Sequence, residues 1–200
     1  PVNPTFVEQR TQTKKPKDSL RLIFVGTLAH FTEIENVISS MHPKSPELEV
    51  RLRIVGSGPK EQSLRNLCNS LGLDTKVEFR GWRGRTELTD ELAWADIGIV
   101  PFKKNILTDC ALPQKAVEYL TAGIPVVSTQ LAGSKSVLGD YDGVHFVELS
   151  TGIVQKAIEL AKLGKIGEVD SSLVREQFSR NTTVAGIEKL LKESKLRNSK

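Results

Sequence analysis

Between Ile97 and Thr129 the sequence reads IGIVPF, then KKNILTDCAL, then PQKAVEYLTAG, then IPVVST. The apolar runs at the two ends are short and unbroken, the pattern of strands buried on both faces. Pro113 suits the first turn of a helix, because its fixed φ is already helical and its missing N–H is one that position leaves unpaired. Gly123 stands where a helix C-terminus favours positive φ. The stretch is therefore a strand, loop, helix, strand unit with parallel strands. It commits the chain to a parallel sheet, whose ligands gather beyond the carboxyl ends of the strands.

Glu118 is the most informative residue of that helix. At about 1.5 Å per residue it lies roughly one and a half turns below the helix N-terminus. Free N–H groups and the positive dipole end suit a phosphate there. A carboxylate that far down the helix reaches the hydroxyls of a ribose attached to the same phosphate. Lys115, three residues earlier, shares the face and offers a point charge to the anion. A solvated Lys/Glu pair on a surface helix fits the spacing equally well.

The rest of the chain repeats the alternation. RLIFVG (21–26) is a buried strand closed by a glycine, and the segment after it carries Phe31, Ile34, Val37, Ile38 and Met41 at helical spacing with Thr32 as its cap. His30 falls in the intervening loop. Val50–Val55 is closed by Gly56-Ser57-Gly58, a turn that lacks the third glycine of a dinucleotide site. A helix from Lys60 to Ser70 ends at Gly72. Val77–Phe79 is a short strand followed by Gly81-Trp82-Arg83-Gly84, and Thr86–Ala95 is helical. After Thr129, residues 130–143 read as a polar loop, Val144–Val147 as a strand holding a structural His145, and Ile153–Leu163 as an amphipathic helix. Val184, Ile187, Leu190 and Leu191 fall on one side of a final helix. About six alternations give an α/β fold, a parallel sheet with helices on both faces.

FVGTL, RIVGSG, VEFRGW, the helix ending WADIGIVPF, and PQKAVEYLTAGIPVVST occur in the order found in the retaining GT-B glycosyltransferases of the group that includes glycosyltransferase family 4, which the chain resembles over nearly all of residues 20–190. The resemblance implies a Rossmann-like doubly wound parallel sheet, one half of a GT-B fold, that binds a UDP- or GDP-sugar as substrate without a metal or other cofactor. It implies that Glu118 holds the nucleotide ribose and that Lys115 acts with it in catalysis. Asp109, Leu112 and Pro113 would lie along the diphosphate loop, and Gly26, Thr27, Gly56 and Gly58 along the cleft. Trp82 or Arg83 would pack on the base, unless Trp82 is a lid over the core edge, and Ser134 and Lys135 would approach the donor phosphate or sugar.

Three positions depart from the family pattern. The glutamate that many members carry eight residues before Glu118 is replaced by Cys110, and the arginine and lysine that stabilise the leaving diphosphate are replaced by Thr27 and Glu33. Either Lys115, Lys103, Lys104 or Arg83 supplies that charge, or turnover is impaired. The expected division is a linker or interdomain arm over 1–20, the nucleotide-sugar domain over 21–168, and a helical segment over 169–200. The expected partner is a preceding acceptor-binding domain. Alternatives are a catalytically lapsed subunit of the same fold and a nucleotide-sugar epimerase.

Net charge is +4, but residues 1–20 hold four Lys/Arg against two acids and residues 189–200 hold five against one, so the body is near −2. A nucleic-acid-binding face is therefore not expected; the basic ends would be solubilising tails or touch an anionic membrane surface. No apolar run approaches the roughly 18 to 20 residues of a membrane span, so a cytoplasmic protein, at most peripheral to a membrane, is expected. Cys68 and Cys110 lack disulfide-framework or metal-ligand spacing.

Overall fold

The computed structural model describes residues 19–41, 48–167, 169–179 and 182. Six strands, β1 (Ser19–Val25), β2 (Glu49–Val55), β3 (Val77–Gly81), β4 (Ile97–Val100), β5 (Val126–Thr129) and β6 (Val144–Val147), form one sheet in the order β3-β2-β1-β4-β5-β6. All five pairings are parallel. Strand β1 begins two residues before the expected boundary, because Leu20 pairs with Val50 and is fully buried.

Side-chain alternation along β1 divides the core between the two faces. Leu20, Leu22 and Phe24 pack with Leu52, Ile54, Ile97 and Val127 beneath α1 (Ile34–Ser40), α2 (Glu61–Ser70) and α7 (Ile153–Lys162). Ile23 faces the opposite way and packs with Val55, Val100 and Val126 against α3 (Arg85–Trp94), α5 (Gln114–Thr121), α6 (Ala132–Leu138) and α8 (Ser172–Gln177). The doubly wound α/β sheet implied by the resemblance is the fold observed.

Several local expectations are corrected. Helix α1 starts at Ile34 with Glu33 at its N-cap, because the Thr32 hydroxyl donates back to the Ala29 carbonyl at 2.7 Å and does not cap the helix. Phe31 lies outside the helix and is 42% exposed. Residues 132–138 of the expected loop form α6, and Ile106–Asp109 form a one-turn helix, α4, whose N-cap Asn105 accepts from the Leu107 and Thr108 amides. Helix α8 seats Val174 in the core, and Arg175 donates to the Thr121 carbonyl at 2.7 Å, so residues 169–179 pack on α5. Of the expected arm over 1–20, residues 1–18 lie outside the described residues, as does the final helix through Leu191, while Ser19 and Leu20 belong to β1.

Candidate functional site

Strand order reverses between β1 and β4, so the loops leaving these neighbours run to opposite sides and open a crevice at their carboxyl ends. Glycine backbones form one wall of it. The Gly26 amide donates to the Val55 carbonyl at 2.9 Å and the Gly56 amide to the Gly81 carbonyl at 2.7 Å. A Cβ on Gly56 would stand 2.1 Å from the Gly26 oxygen, and one on Gly58 2.7 Å from the Leu28 nitrogen and oxygen. The loops after β1 and β2 therefore touch with no room for a side chain at Gly56 or Gly58, the Gly81 carbonyl joins the β3 loop to them, and Trp82 lies two strands, roughly 10 Å, from Gly26.

Helix α5 carries the candidate side chains Lys115 and Glu118. Pro113 is its N-cap (φ −62°, ψ 116°), one position outside the helix rather than in its first turn. Tyr119 locks the helix onto the sheet: its ring fills the space left by Gly98, where a Cβ would lie 2.3 Å from Tyr119 Cδ2. Its hydroxyl oxygen accepts from the Val25 amide at 2.8 Å. One turn earlier, Lys115 crosses the crevice to Gly26, where a Cβ would meet Lys115 Nζ at 2.8 Å.

The Lys115 ammonium stands 4.2 Å from the Phe24 ring centroid and 4.7 Å from that of Phe102. Among the described residues no carboxylate lies within ion-pair distance of it. Burial pushes its pKa down to about 8, and the Glu118 charge opposes the fall. Burial pushes the Glu118 carboxyl up, and Lys115 pulls it back. The two groups, three residues apart on the same helix, thus sense each other, and each retains hydrogen-bonding capacity for a ligand.

The remaining candidates are more dispersed. Arg83 pairs with Glu87 and Glu91 at 3.5 Å, Lys104 lies 3.9 Å from Asp109, and Lys103 is exposed. Of the four candidate cations, Lys115 is the one that lies in the crevice, where it is half-buried. Asp109 accepts from the Ala132 amide at 3.0 Å and so caps α6, while Leu112 packs on the core and Pro113 is buried. Glu33 accepts from Ser150 at 2.7 Å. Thr27 and His30 are exposed, and Trp82 is 76% exposed, so it does not close over the core edge. Ser134 turns inward to the Ala111 carbonyl, whereas Lys135 lines an open cavity of about 360 Å³ with Lys104, Gln130, Ala132 and Ser136. Among the described residues no helix is long and apolar enough to cross a membrane, and no group of three His, Cys, Asp or Glu is arranged to hold a metal.

Sequence reasoning missed the parts played by Phe24, Phe102 and Tyr119. An aromatic residue in a strand or an apolar helix face reads as core, and its contact with a lysine is a product of tertiary packing.

The profile of the family described as glycosyl transferases group 1 matches residues 6–165. N-acetyl-alpha-D-glucosaminyl L-malate synthase of Bacillus anthracis is 22% identical over 200 residues, covering 92% of this chain and 51% of that protein. The uncharacterised glycosyltransferase MJ1607 of Methanocaldococcus jannaschii is 30% identical over 121 residues, 60% of this chain and 30% of its own length. This chain therefore spans about half, or less, of the length of these relatives. Sucrose-phosphate synthase from Thermosynechococcus elongatus superimposes with a TM-score of 0.76 at 17% identity, over 98% of this chain and 51% of that one. Anabaena HepE in complex with UDP and glucose gives a TM-score of 0.70 at 16% identity, over 88% and 48%. At these identities the superpositions establish the GT-B fold.

Proposed function

The chain belongs to the glycosyl transferases group 1 family, and on that premise we propose that it is the donor-binding domain of a retaining glycosyltransferase, moving a hexosyl group from a UDP- or GDP-sugar to a hydroxyl acceptor. The observation that carries this reading is the Lys115 ammonium, held at the switch point over Gly26 with no carboxylate among the described residues within ion-pair distance. A half-buried cation without an ion pair favours an anionic ligand.

In this reading the diphosphate lies between Lys115 and the start of α5, where free N–H groups and the helix dipole favour negative charge. Glu118 accepts hydrogen bonds from the ribose hydroxyls, and the base extends along the glycine wall toward Trp82 and Arg83. As the bond from the sugar's anomeric carbon to the β-phosphate oxygen breaks, its electron pair stays on the diphosphate. The preorganised charge of Lys115 stabilises that leaving group, in place of a metal. The acceptor oxygen bonds to the anomeric carbon and its proton passes to the departing β-phosphate oxygen. The acceptor is assigned to a second domain outside this chain. UDP is the first nucleotide to test, because the Anabaena HepE and S. aureus TarM structures are complexes with it.

Calorimetric titration with UDP, GDP and UDP-glucose in the presence of EDTA tests the binding step. Saturable binding that is lost in Lys115→Ala and Glu118→Ala is expected, and unchanged affinity in both variants would remove the assignment. A transfer assay on the full-length protein, wild type against Glu118→Ala, separates an enzyme from a lapsed subunit of the same fold, a reading that the neutral Thr27 keeps in play. Analysis of UDP-GlcNAc incubated without acceptor exposes epimerisation.

A further inference from the structure

Lys115 approaches the crevice through aromatic surroundings. Phe24 comes from β1 and Phe102 from the loop after β4, so the two rings bracket the ammonium from the two strands that flank the crevice. Phe102 is itself braced. Phe31 stands edge-on to it at 5.2 Å between centroids and an interplanar angle of 76°, and the Thr32–Phe102 bridge ties their backbones together. Among the other described residues, two cations shielded from solvent are held by carboxylates. Arg21 pairs with Asp96, and Arg53 pairs with Glu78 and Glu91 while stacking on Trp94 at 4.0 Å. Lys115 has the aromatic half of that arrangement without the acidic half.

A lysine in a crevice needs something to keep it extended. A carboxylate would do so but would compete with any incoming anion for the same charge. The negative face of an aromatic ring attracts a cation without occupying its N–H donors. We propose that Phe24 and Phe102 are positioning residues for the donor diphosphate: their ring faces hold the Lys115 ammonium over Gly26 and leave its hydrogen bonds open to phosphate oxygens. This rests on the assignment of Lys115 to the diphosphate. The role belongs to the electron-rich faces of the rings as well as to their bulk, and a test must separate the two.

Replacement of Phe102 by mono-, di- and trifluorophenylalanine does so, because each fluorine withdraws density from the ring face while barely altering its size. Affinities for UDP and for uridine are measured along the series in the full chain, with Lys115→Ala as reference. We expect UDP affinity to fall stepwise, by about tenfold at the trifluoro member, and uridine affinity to stay constant. Phe102→Tyr, which keeps an electron-rich face, should retain UDP affinity. If UDP binds, Lys115→Ala weakens it and the fluorinated series is flat, the aromatic role is overturned while the diphosphate assignment stands. A parallel loss of uridine and UDP affinity would also overturn it, because the ring would then be acting by shape alone. If Lys115→Ala leaves UDP binding unchanged, both fall together.

Discussion

The Tyr119 hydroxyl oxygen accepts a hydrogen bond from the Val25 amide at 2.8 Å, joining the middle of α5 to the last residue of β1. The next residue in the chain is Gly26, against which Lys115 rests, so this bond fixes the distance between the two sides of the crevice. The Tyr119 phenol is fully buried, and burial pushes its pKa well above the usual range, so it remains a neutral acceptor at any working pH.

Tyr119→Phe should leave the Val25 amide without that partner, at a cost of about 1–3 kcal/mol. Urea denaturation should show a lower midpoint with an unchanged slope. Nucleotide affinity should fall as well, since α5 loses its tether to β1.

Gly98→Ala should be destabilising by about 1–3 kcal/mol or more through overpacking, because the new methyl would lie 2.3–2.4 Å from Tyr119 ring atoms. A double-mutant cycle with Tyr119→Leu should give a favourable coupling, the smaller side chain relieving part of the clash. Additive losses would mean that the ring is not what the glycine accommodates.

Diphosphate binding should depend on Lys115 protonation. With its pKa pushed down to about 8, UDP affinity should be flat below that pH. Above it, affinity should fall by about tenfold per pH unit until the raised pKa of the bound state is reached. Without ligand the sign is opposite. A lowered lysine pKa means that the charged form opposes folding, fully below about 8 and less as pH rises toward the ordinary 10.5. Lys115→Met should therefore melt higher than wild type at pH 7 while losing UDP binding, as read by thermal shift with and without nucleotide.

Glu118→Gln should weaken UDP by about tenfold or more, the loss expected when a charged acceptor of hydroxyl protons becomes neutral. It should also move the pH midpoint of UDP binding below that of wild type, because the Glu118 charge raises the Lys115 pKa. An unchanged midpoint would show that the two side chains are not coupled.

Much of this was legible in the sequence because the signals are local. The unbroken runs IGIV and VVST mark β4 and β5, Gly123 takes φ +72° at the end of α5, and three-residue spacing puts Lys115 and Glu118 on one side. Short helices were less legible. α4 and α6 span four and seven residues, rich in Thr, Ser, Gly or Asp, and are fixed by tertiary partners: Asp109 caps α6, and Ser134 bonds to Ala111 across the loop. Thr32 has the chemistry of an N-cap but satisfies the Ala29 carbonyl instead. The aromatic bracket around Lys115 joins residues far apart in the chain, which no periodicity within one element reports.

The loops after β1, β2 and β3 meet glycine to glycine, so that wall of the crevice exposes peptide groups with almost no side-chain volume. Divergence among chains built this way has little to alter there. In a donor site of the proposed kind, preference for one sugar or base over another would be written on the rim, in the Trp82 turn, the Lys103–Asp109 loop and the face of α6. Those are the places to begin when redesigning what the crevice accepts.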